Sequence, residues 1–162
     1  MTNNLLLKQL DEFRRVEDGS IIQGATHTSK ILNHRYRNQI IMKAYSDLRD
    51  IKNIDSIACC GTSGLIVVPQ IAELLKKNII IVRKKDESAY SEFKVEGTPA
   101  RNYIIIDDLI CSGSTIKNIL KNIKEETPRA KCKGVYCYMP DECSYRRHPE
   151  YCNKDLGIDY LR

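Results

Sequence analysis

Residues 103–115 read YIIIDDLICSGST, a short apolar run followed by two carboxylates and a turn of small, hydroxyl-bearing residues. The apolar run has the length and β-branched composition of a buried strand. Isoleucine recurs at helical spacing from Ile116 to Ile123, which predicts a helix directly after the turn. We therefore expect Asp107 and Asp108, the acid pair, at the edge of a sheet, where the strand ends.

Three other runs of β-branched or aromatic residues predict further strands, at 54–60, 79–82 and 134–138. The helical spacing from Leu65 to Leu75 predicts a helix after the first of them, with Pro69 in its first turn or at a kink. Strands that are apolar on both sides and joined by helices indicate an α/β fold with a Rossmann-like parallel sheet flanked by helices. Such sheets bind ligands at the carboxyl ends of their strands.

The pattern before the first strand predicts two helices, one from Leu6 to about Gly19 and a second over 33–51. The segment 84–102 is polar, has no helical apolar stripe and is longer than a typical connection. It is interpreted as either a flexible functional loop or a surface hairpin.

The composition indicates one globular domain over residues 1–162, with 42% hydrophobic and 29% charged residues. No apolar run approaches the roughly 20 residues of a membrane span, and the first residues lack the features of a signal peptide. We expect a cytoplasmic protein with no membrane partner. The net charge of +5 suits a polyanionic substrate, whereas the lack of a basic stripe interleaved with aromatics argues against a nucleic-acid partner.

The seven cysteines are odd in number and form no CxxC pair, which favours reduced thiols. Four of them lie near His148, at Cys132, Cys137, Cys143 and Cys152. A structural metal site, or a cysteine-rich redox module, is the alternative interpretation of this cluster. We do not adopt it.

The turn after the acid pair has the groups needed to bind a phosphate. Its backbone N–H groups, its hydroxyls and the N-terminus of the following helix would all point at one anion. This phosphate loop comprises Cys111, Ser112, Gly113, Ser114 and Thr115. The acid pair could then accept hydrogen bonds from the hydroxyls of an attached ribose. The alternative, a helix cap beside a solvated strand end, explains the serines but not the two acids.

The order apolar strand, Asp-Asp, two apolar residues, small, Ser or Thr, Gly, small, Thr resembles the phosphoribosyl diphosphate signature of the type I phosphoribosyltransferases. Ser112 stands where Thr is usual, and Ser114 replaces a second glycine. Neither difference removes a required group. The resemblance implies the type I phosphoribosyltransferase fold, with a core at about 54–140 and a small hood formed from 1–53 and 141–162.

Two further segments resemble functional segments of the same family. The diphosphate loop would follow the first strand and comprise Gly61, Thr62, Ser63 and Gly64. The basic segment follows the second strand, at Arg83, Lys84 and Lys85, and resembles the start of the mobile catalytic loop in the orotate and adenine branches. Residues 26–30 and Tyr36 would be lid or base contacts in the hood, or else part of an amphipathic surface segment.

The resemblance implies transfer of the 5-phosphoribosyl group from phosphoribosyl diphosphate (PRPP) to a nucleobase of orotate or purine type. The basic segment would neutralise the departing diphosphate, the acid pair would hold the ribose, and the segment 84–102 would close over the site. Mg²⁺ is the expected cofactor, held mainly through the substrate with no dedicated protein ligands. Family members are commonly homodimers.

Two questions of function stay open at this point. The His-Gly expected in an orotate-type loop is replaced by Ala89-Tyr90, which puts orotate itself in doubt and makes a purine the neighbouring option. The alternative to an enzyme is a non-catalytic regulator of the same fold that binds PRPP or a nucleotide.

Overall fold

The computed structural model describes residues 26–84, 93–98, 100–139 and 148–161. The predicted helix from Leu6, together with Lys85, Ala89, Tyr90 and Cys143, lies outside these described residues.

The helices and strands alternate after an initial helical pair. In chain order they are α1 (Thr26–Leu32), α2 (His34–Leu48), β1 (Ser56–Cys60), α3 (Gly61–Leu75), β2 (Asn78–Val82), β3 (Val95–Gly97), β4 (Asn102–Asp107), α4 (Ser114–Glu126), β5 (Lys131–Cys137), α5 (His148–Tyr151) and a π-helical turn (Cys152–Leu156). The predicted helix over 33–51 is confirmed as α2. It begins after Asn33, whose Oδ1 accepts the backbone N–H groups of Arg35 and Tyr36 at 3.0 and 3.3 Å.

Within the described residues, five strands form one sheet in the order β3-β2-β1-β4-β5. The four predicted strands are confirmed as β1, β2, β4 and β5, and they are mutually parallel. The fifth strand, β3, lies within the segment 84–102 and pairs antiparallel with β2. Residues 95–97 therefore run along the edge of the sheet, in agreement with the hairpin interpretation.

The sheet buries apolar side chains on both faces, because successive residues of a strand point to opposite sides. Ile57 and Cys59 of β1 contact one apolar cluster, which includes buried residues of α1, α2 and α3. Ala58 and Cys60 contact the other cluster, together with the isoleucines of α4. The arrangement is the predicted α/β sheet between two helical layers.

Both segments expected to form the hood also contribute to these clusters. Ile40 and Ala44 of α2 are buried in the first. Tyr151 and Cys152, near the end of the chain, are buried in the second, and Tyr160 forms an isolated parallel bridge with Val135 of β5. None of the described helices is both long and apolar enough to cross a membrane.

The carboxyl ends of β1 and β4 create a crevice between them. The two strands are neighbours in the sheet, yet β1 leads into α3 on one face and β4 into α4 on the other. This is a topological switch point, where open α/β sheets bind their ligands. The predicted turn at 61–64 is the first turn of α3 itself, and Pro69 lies in the interior of that helix rather than in its first turn.

Candidate active site

The acid pair lies at the carboxyl end of β4, with Asp107 only 6% and Asp108 only 9% exposed. Backbone N–H groups orient both carboxylates. The Asp108 N–H donates to Asp107 Oδ1 at 3.0 Å, and the Leu109 N–H donates to Asp108 Oδ1 at 2.8 Å. The strand and the turn after it therefore hold the two side chains in place before any ligand arrives.

Burial raises the pKa of Asp107 well above its ordinary value. The negative charge of Asp108 raises it further, while the positive charge of Lys84 acts in the opposite direction. Because the two carboxylates are close together and shielded from water, the ionised form of Asp107 is disfavoured. A nearby positive charge on a ligand would therefore be strongly favoured.

The phosphate loop leads from the end of β4 into the first residues of α4, Ser114 and Thr115, and its Gly113 is the N-cap residue, with a φ of +73°. The Ser112 hydroxyl accepts the Ser114 N–H at 3.3 Å and donates to the Ser114 hydroxyl at 2.9 Å. The first N–H groups of α4 have no partner within the helix, so this end is suited to an anion.

The first turn of α3 faces the same crevice from β1. Gly61, its first residue, has a φ of +72°. The side chain of Lys84 lies over it, with Cε 2.8 Å and Nζ 3.1 Å from the position that a Cβ at Gly61 would occupy. The residues that follow β2 therefore bring Lys84 to the start of the predicted diphosphate loop.

Arg83 has a different surrounding from its neighbour Lys84. Its Nε donates to Glu96 Oε1 of β3 at 2.8 Å, and Nη2 pairs with the same oxygen. Its carbonyl accepts the Asn118 side-chain amide of α4 at 3.2 Å. The Arg83 guanidinium is thus held at the sheet edge by Glu96.

These segments enclose a cavity of about 490 Å³. It is lined by both acids, all five residues of the phosphate loop, Lys84 and, from the diphosphate loop, Thr62 and Ser63. Thr28 of α1, one of the predicted hood contacts, also lines it. Gly61, Gly64 and Arg83 are not among the lining residues, and Lys85 lies outside the described part of the chain.

Four lining residues were not predicted. They are Cys60, Leu109, Ile110 and Ile116. Leu109 and Ile110 occupy the two apolar positions of the sequence pattern, and Cys60 directly precedes the diphosphate loop. Each of the four is next to a predicted site residue in the sequence, and this adjacency is the signal that could have identified it.

The sequence model of the phosphoribosyl transferase domain family matches residues 27–157. This range is most of the chain and includes every residue that lines the cavity. The chain belongs to the type I phosphoribosyltransferase family. The resemblance inferred from the acid pair and the phosphate loop is confirmed.

Two relatives of this phosphoribosyltransferase chain are named for different functions, one as a regulator and one as an enzyme. It is 28% identical over 131 residues to the transcriptional regulator GfcR of Methanocaldococcus jannaschii, covering 74% of this chain and 60% of the regulator. It is 23% identical over 128 residues to the adenine phosphoribosyltransferase of Borrelia garinii subsp. bavariensis, covering 69% of this chain and 71% of that enzyme. The chain thus spans less than two thirds of the archaeal regulator.

Solved structures share the fold. The orotate phosphoribosyltransferase of Aeropyrum pernix has a TM-score of 0.65 at 15% identity, with 99% of this chain and 91% of that one covered. The UMP synthase of Leishmania donovani gives the same TM-score at 14% identity, but only 35% of its chain is covered. The adenine phosphoribosyl transferase of Trypanosoma brucei, in complex with AMP, pyrophosphate and ribose-5-phosphate, has a TM-score of 0.57 at 13% identity, with 82% of this chain and 65% of that one covered.

A second cavity of about 570 Å³ adjoins the first in this phosphoribosyltransferase fold. Both are lined by Cys60, Lys84, Ser114 and Thr115. The second extends along α4 to Lys117 and Lys121. Positive charge therefore continues outward from the phosphate loop.

Most of the cysteines in the described residues are buried or half-buried, and Cys111 is exposed. Burial raises the pKa of Cys59 to about 12 and that of Cys132 and Cys152 to about 11, so these thiols are protonated at neutral pH. Within residues 26–84, 93–98, 100–139 and 148–161, no three His, Cys, Asp or Glu side chains form a group that could hold a metal ion.

Proposed function

We propose that this chain transfers the 5-phosphoribosyl group of PRPP to a nitrogen of a nucleobase and releases diphosphate. The supporting observation is that one cavity brings together a phosphate loop, an acid pair, the first turn of a helix and a lysine. In the reaction, the bond between C1 of the ribose and the diphosphate oxygen breaks, a bond from C1 to the base nitrogen forms, and the proton on that nitrogen is lost.

The phosphate loop would bind the 5-phosphate of the substrate. Its hydroxyls and backbone N–H groups are donors, and the N-terminus of α4 adds a partial positive charge. The acid pair would then lie beside the ribose, where carboxylate oxygens can accept hydrogen bonds from sugar hydroxyls. Only a ligand that carries both a phosphate and a sugar would contact both the phosphate loop and the acid pair.

The acid pair would also act on the transition state, in which the ribose becomes positively charged. Carboxylates that are already oriented by backbone N–H groups stabilise such a charge without reorganising. Because this attraction grows as the charge develops, it lowers the barrier rather than merely tightening substrate binding.

Within the basic segment, Lys84 would bind the diphosphate end of the substrate. It lines the cavity and lies over Gly61. Arg83 and Lys85 keep their predicted role as further cations for the leaving group. For Arg83 this role requires exchange of its ion pair with Glu96 for the diphosphate.

Mg²⁺ is the proposed cofactor, and the donors present suit it. Carboxylate, hydroxyl and phosphate oxygens are the ligands that Mg²⁺ prefers, usually with most of them from substrate and water. Because most of its ligands would come from the diphosphate-bearing sugar and from water, the ion would be held mainly through the substrate, with no dedicated protein ligands. When bound, it neutralises charge on the departing diphosphate.

The base is proposed only as a class, orotate or purine. Thr28 lines the cavity, but one hydroxyl can donate or accept and so does not select between bases. A single domain over 1–162, a homodimer, closure by the segment 84–102 and a cytoplasmic location stay predictions.

Diphosphate release tests the proposal. The protein is incubated with PRPP, Mg²⁺ and, separately, adenine, hypoxanthine, guanine, xanthine, uracil or orotate, and diphosphate is measured against the same mixtures without base. The expected result is base-dependent release with at least one base, lost in Asp108→Asn. No release with any base would overturn the proposed transfer.

A second candidate function is a PRPP- or nucleotide-binding regulator without turnover. It is supported by the similarity to the archaeal relative named as a transcriptional regulator and by the pairing of Arg83 with Glu96. Binding of PRPP or a nucleoside monophosphate in the absence of release would favour this candidate, whereas base-dependent release would exclude it as a complete description.

A further inference from the structure

Tyr138 follows β5 directly and connects the two halves of the cavity wall. Its phenol O–H donates to the carbonyl of Ser63 at 3.2 Å. Its backbone N–H donates to the carbonyl of Asp107 at 3.1 Å. One residue is therefore bonded both to the diphosphate loop and to the backbone of the acid pair.

These two halves come from different strands and different faces of the sheet. Ser63 lies in the first turn of α3, after β1, whereas Asp107 ends β4. A carbonyl oxygen can accept two hydrogen bonds, so Ser63 can receive the Tyr138 phenol and still accept a bond within its helix. The Tyr138 phenol therefore restrains the first turn of α3 relative to the end of β4.

Tyr138 acts from behind the cavity. It is 7% exposed and packs in the apolar cluster with α2 and α3, and it is not among the residues that line the cavity. Burial, with the nearby charges of Asp108 and Asp107, raises the pKa of its phenol. The hydroxyl therefore remains a donor over the whole range in which the protein would work.

We propose that Tyr138 is a positioning residue, which holds the diphosphate loop at the correct distance from the acid pair and so sets the affinity for the diphosphate end of PRPP. This inference rests on the proposed function, because it assumes that the first turn of α3 binds diphosphate. It assigns Tyr138 no contact with the substrate.

Tyr138→Phe tests the inference, because it removes only the hydroxyl and keeps the buried ring. Tyr136→Phe is the matched control. Tyr136 lies two residues earlier, packs in the same apolar cluster and donates its phenol to Asp47 Oδ2 of α2 at 2.8 Å, away from the cavity. Each variant loses one phenol hydrogen bond, which goes to a backbone carbonyl from Tyr138 and to a carboxylate from Tyr136, so both are compared by thermal unfolding first.

Two ligands separate the halves of the site. Binding of diphosphate and of ribose 5-phosphate, each with Mg²⁺, is measured by calorimetry, and kcat and KM for PRPP are measured with an accepted base. In Tyr138→Phe we expect diphosphate binding to weaken about fivefold, the effect of losing one hydrogen bond, with an equal rise in KM and little change in kcat. Ribose 5-phosphate binding should not change, and Tyr136→Phe should match the wild type in every ligand measurement.

The outcomes distinguish this inference from the proposed function. Unchanged diphosphate binding in Tyr138→Phe overturns the inference, as does equal weakening of both ligands or equal weakening in Tyr136→Phe. If the wild type binds both ligands but releases no diphosphate from PRPP, the transfer reaction is excluded while the binding comparison still decides the role of Tyr138. If the wild type binds neither ligand, both proposals fall.

Discussion

The phenol of Tyr151 occupies the space that a Cβ at Gly113 would take. Tyr151 comes from α5 near the end of the chain, and Gly113 is the last residue before α4. The Lys117 ammonium lies 5.9 Å from the centre of the Tyr151 ring and adds a weak cation–π contact. The shape of the phosphate loop therefore depends on a residue far away in the sequence.

Gly113→Ala is expected to destabilise the protein by about 2–4 kcal/mol, because it adds backbone strain at positive φ to overlap with a buried ring. It should also abolish binding of ribose 5-phosphate, since the loop and Tyr151 cannot both keep their positions. Urea unfolding and calorimetry measure the two effects.

Gly157→Ala is the control for backbone strain alone. Gly157 also has a positive φ, of +63°, but nothing lies within 4 Å of the position its Cβ would take. We expect a loss of only about 1 kcal/mol and normal ligand binding. Equal losses in the two variants would show that the contact with Tyr151 does not constrain Gly113.

Asp107→Asn and Asp108→Asn are each expected to lower turnover about 100-fold or more, because the developing positive charge on the ribose loses a fixed carboxylate. Neither variant should lose more than about 1 kcal/mol of stability, because an amide oxygen can still accept the backbone N–H. Asp107→Asn should gain stability at neutral pH, because burial disfavours the ionised carboxylate that it removes. Steady-state rates and urea unfolding are compared with those of Asp50→Asn, whose side chain is 90% exposed. Normal turnover in both variants with normal stability would remove the acid pair from the mechanism.

The contribution of Asp107 to the stability of the protein should fall as the pH rises above about 4. Burial and the charge of Asp108 raise the pKa of Asp107 above its ordinary value of 3.8, so the folded state holds a proton that the unfolded state has already released. The contribution of Asp107 is therefore fully present below pH 3.8 and is lost progressively up to the raised pKa. The slope reaches at most about 1.4 kcal/mol per pH unit.

Urea unfolding between pH 4 and pH 8 measures this dependence. Asp107→Asn should flatten the curve, while Asp50→Asn should leave its slope as in the wild type. A slope that persists unchanged in Asp107→Asn would assign the pH dependence to other groups.

The parts of the fold predicted from the sequence are those determined by neighbouring residues. The strand, acid pair, phosphate loop and helix of residues 103–126 form one continuous pattern, in which each apolar position and each small residue has a local reason. β3 could not be predicted in this way, because Val95–Gly97 is short and polar and forms a strand only by pairing with β2.

The parts of the site missed by the sequence depend on contacts between distant segments. Arg83 and Lys84 are adjacent cations with the same predicted role, yet Glu96 of β3 binds Arg83 while Lys84 reaches Gly61. Tyr138 and Tyr151 had no signal either, because a buried tyrosine looks the same in sequence whether it supports a loop or only fills the core. The role of each of these residues is decided by which strands pair and which side chains pack together in the fold.

Cys111 offers a direct probe of the phosphate loop. It is exposed, whereas Cys59, Cys60, Cys137 and Cys152 are buried. We expect a maleimide to label Cys111 first among these five, and ribose 5-phosphate to slow the labelling. Peptide mass spectrometry follows the reaction, and Cys111→Ser identifies its signal. Labelling at the same rate with and without the ligand, at a concentration that saturates binding, would show that the phosphate is bound elsewhere.

Lys84→Met is expected to lower kcat about 100-fold, because the diphosphate loses a cation that lines the cavity. Arg83→Met should have a smaller effect on kcat, since the guanidinium must first leave Glu96 before it can act. Lys121→Met is the matched control, because Lys121 lines only the adjoining cavity and pairs with Glu125 at 3.7 Å. Steady-state rates with saturating PRPP separate the three variants. A larger loss in Arg83→Met than in Lys84→Met would mean that the ion pair with Glu96 opens readily and that the arginine is the principal cation for the leaving group.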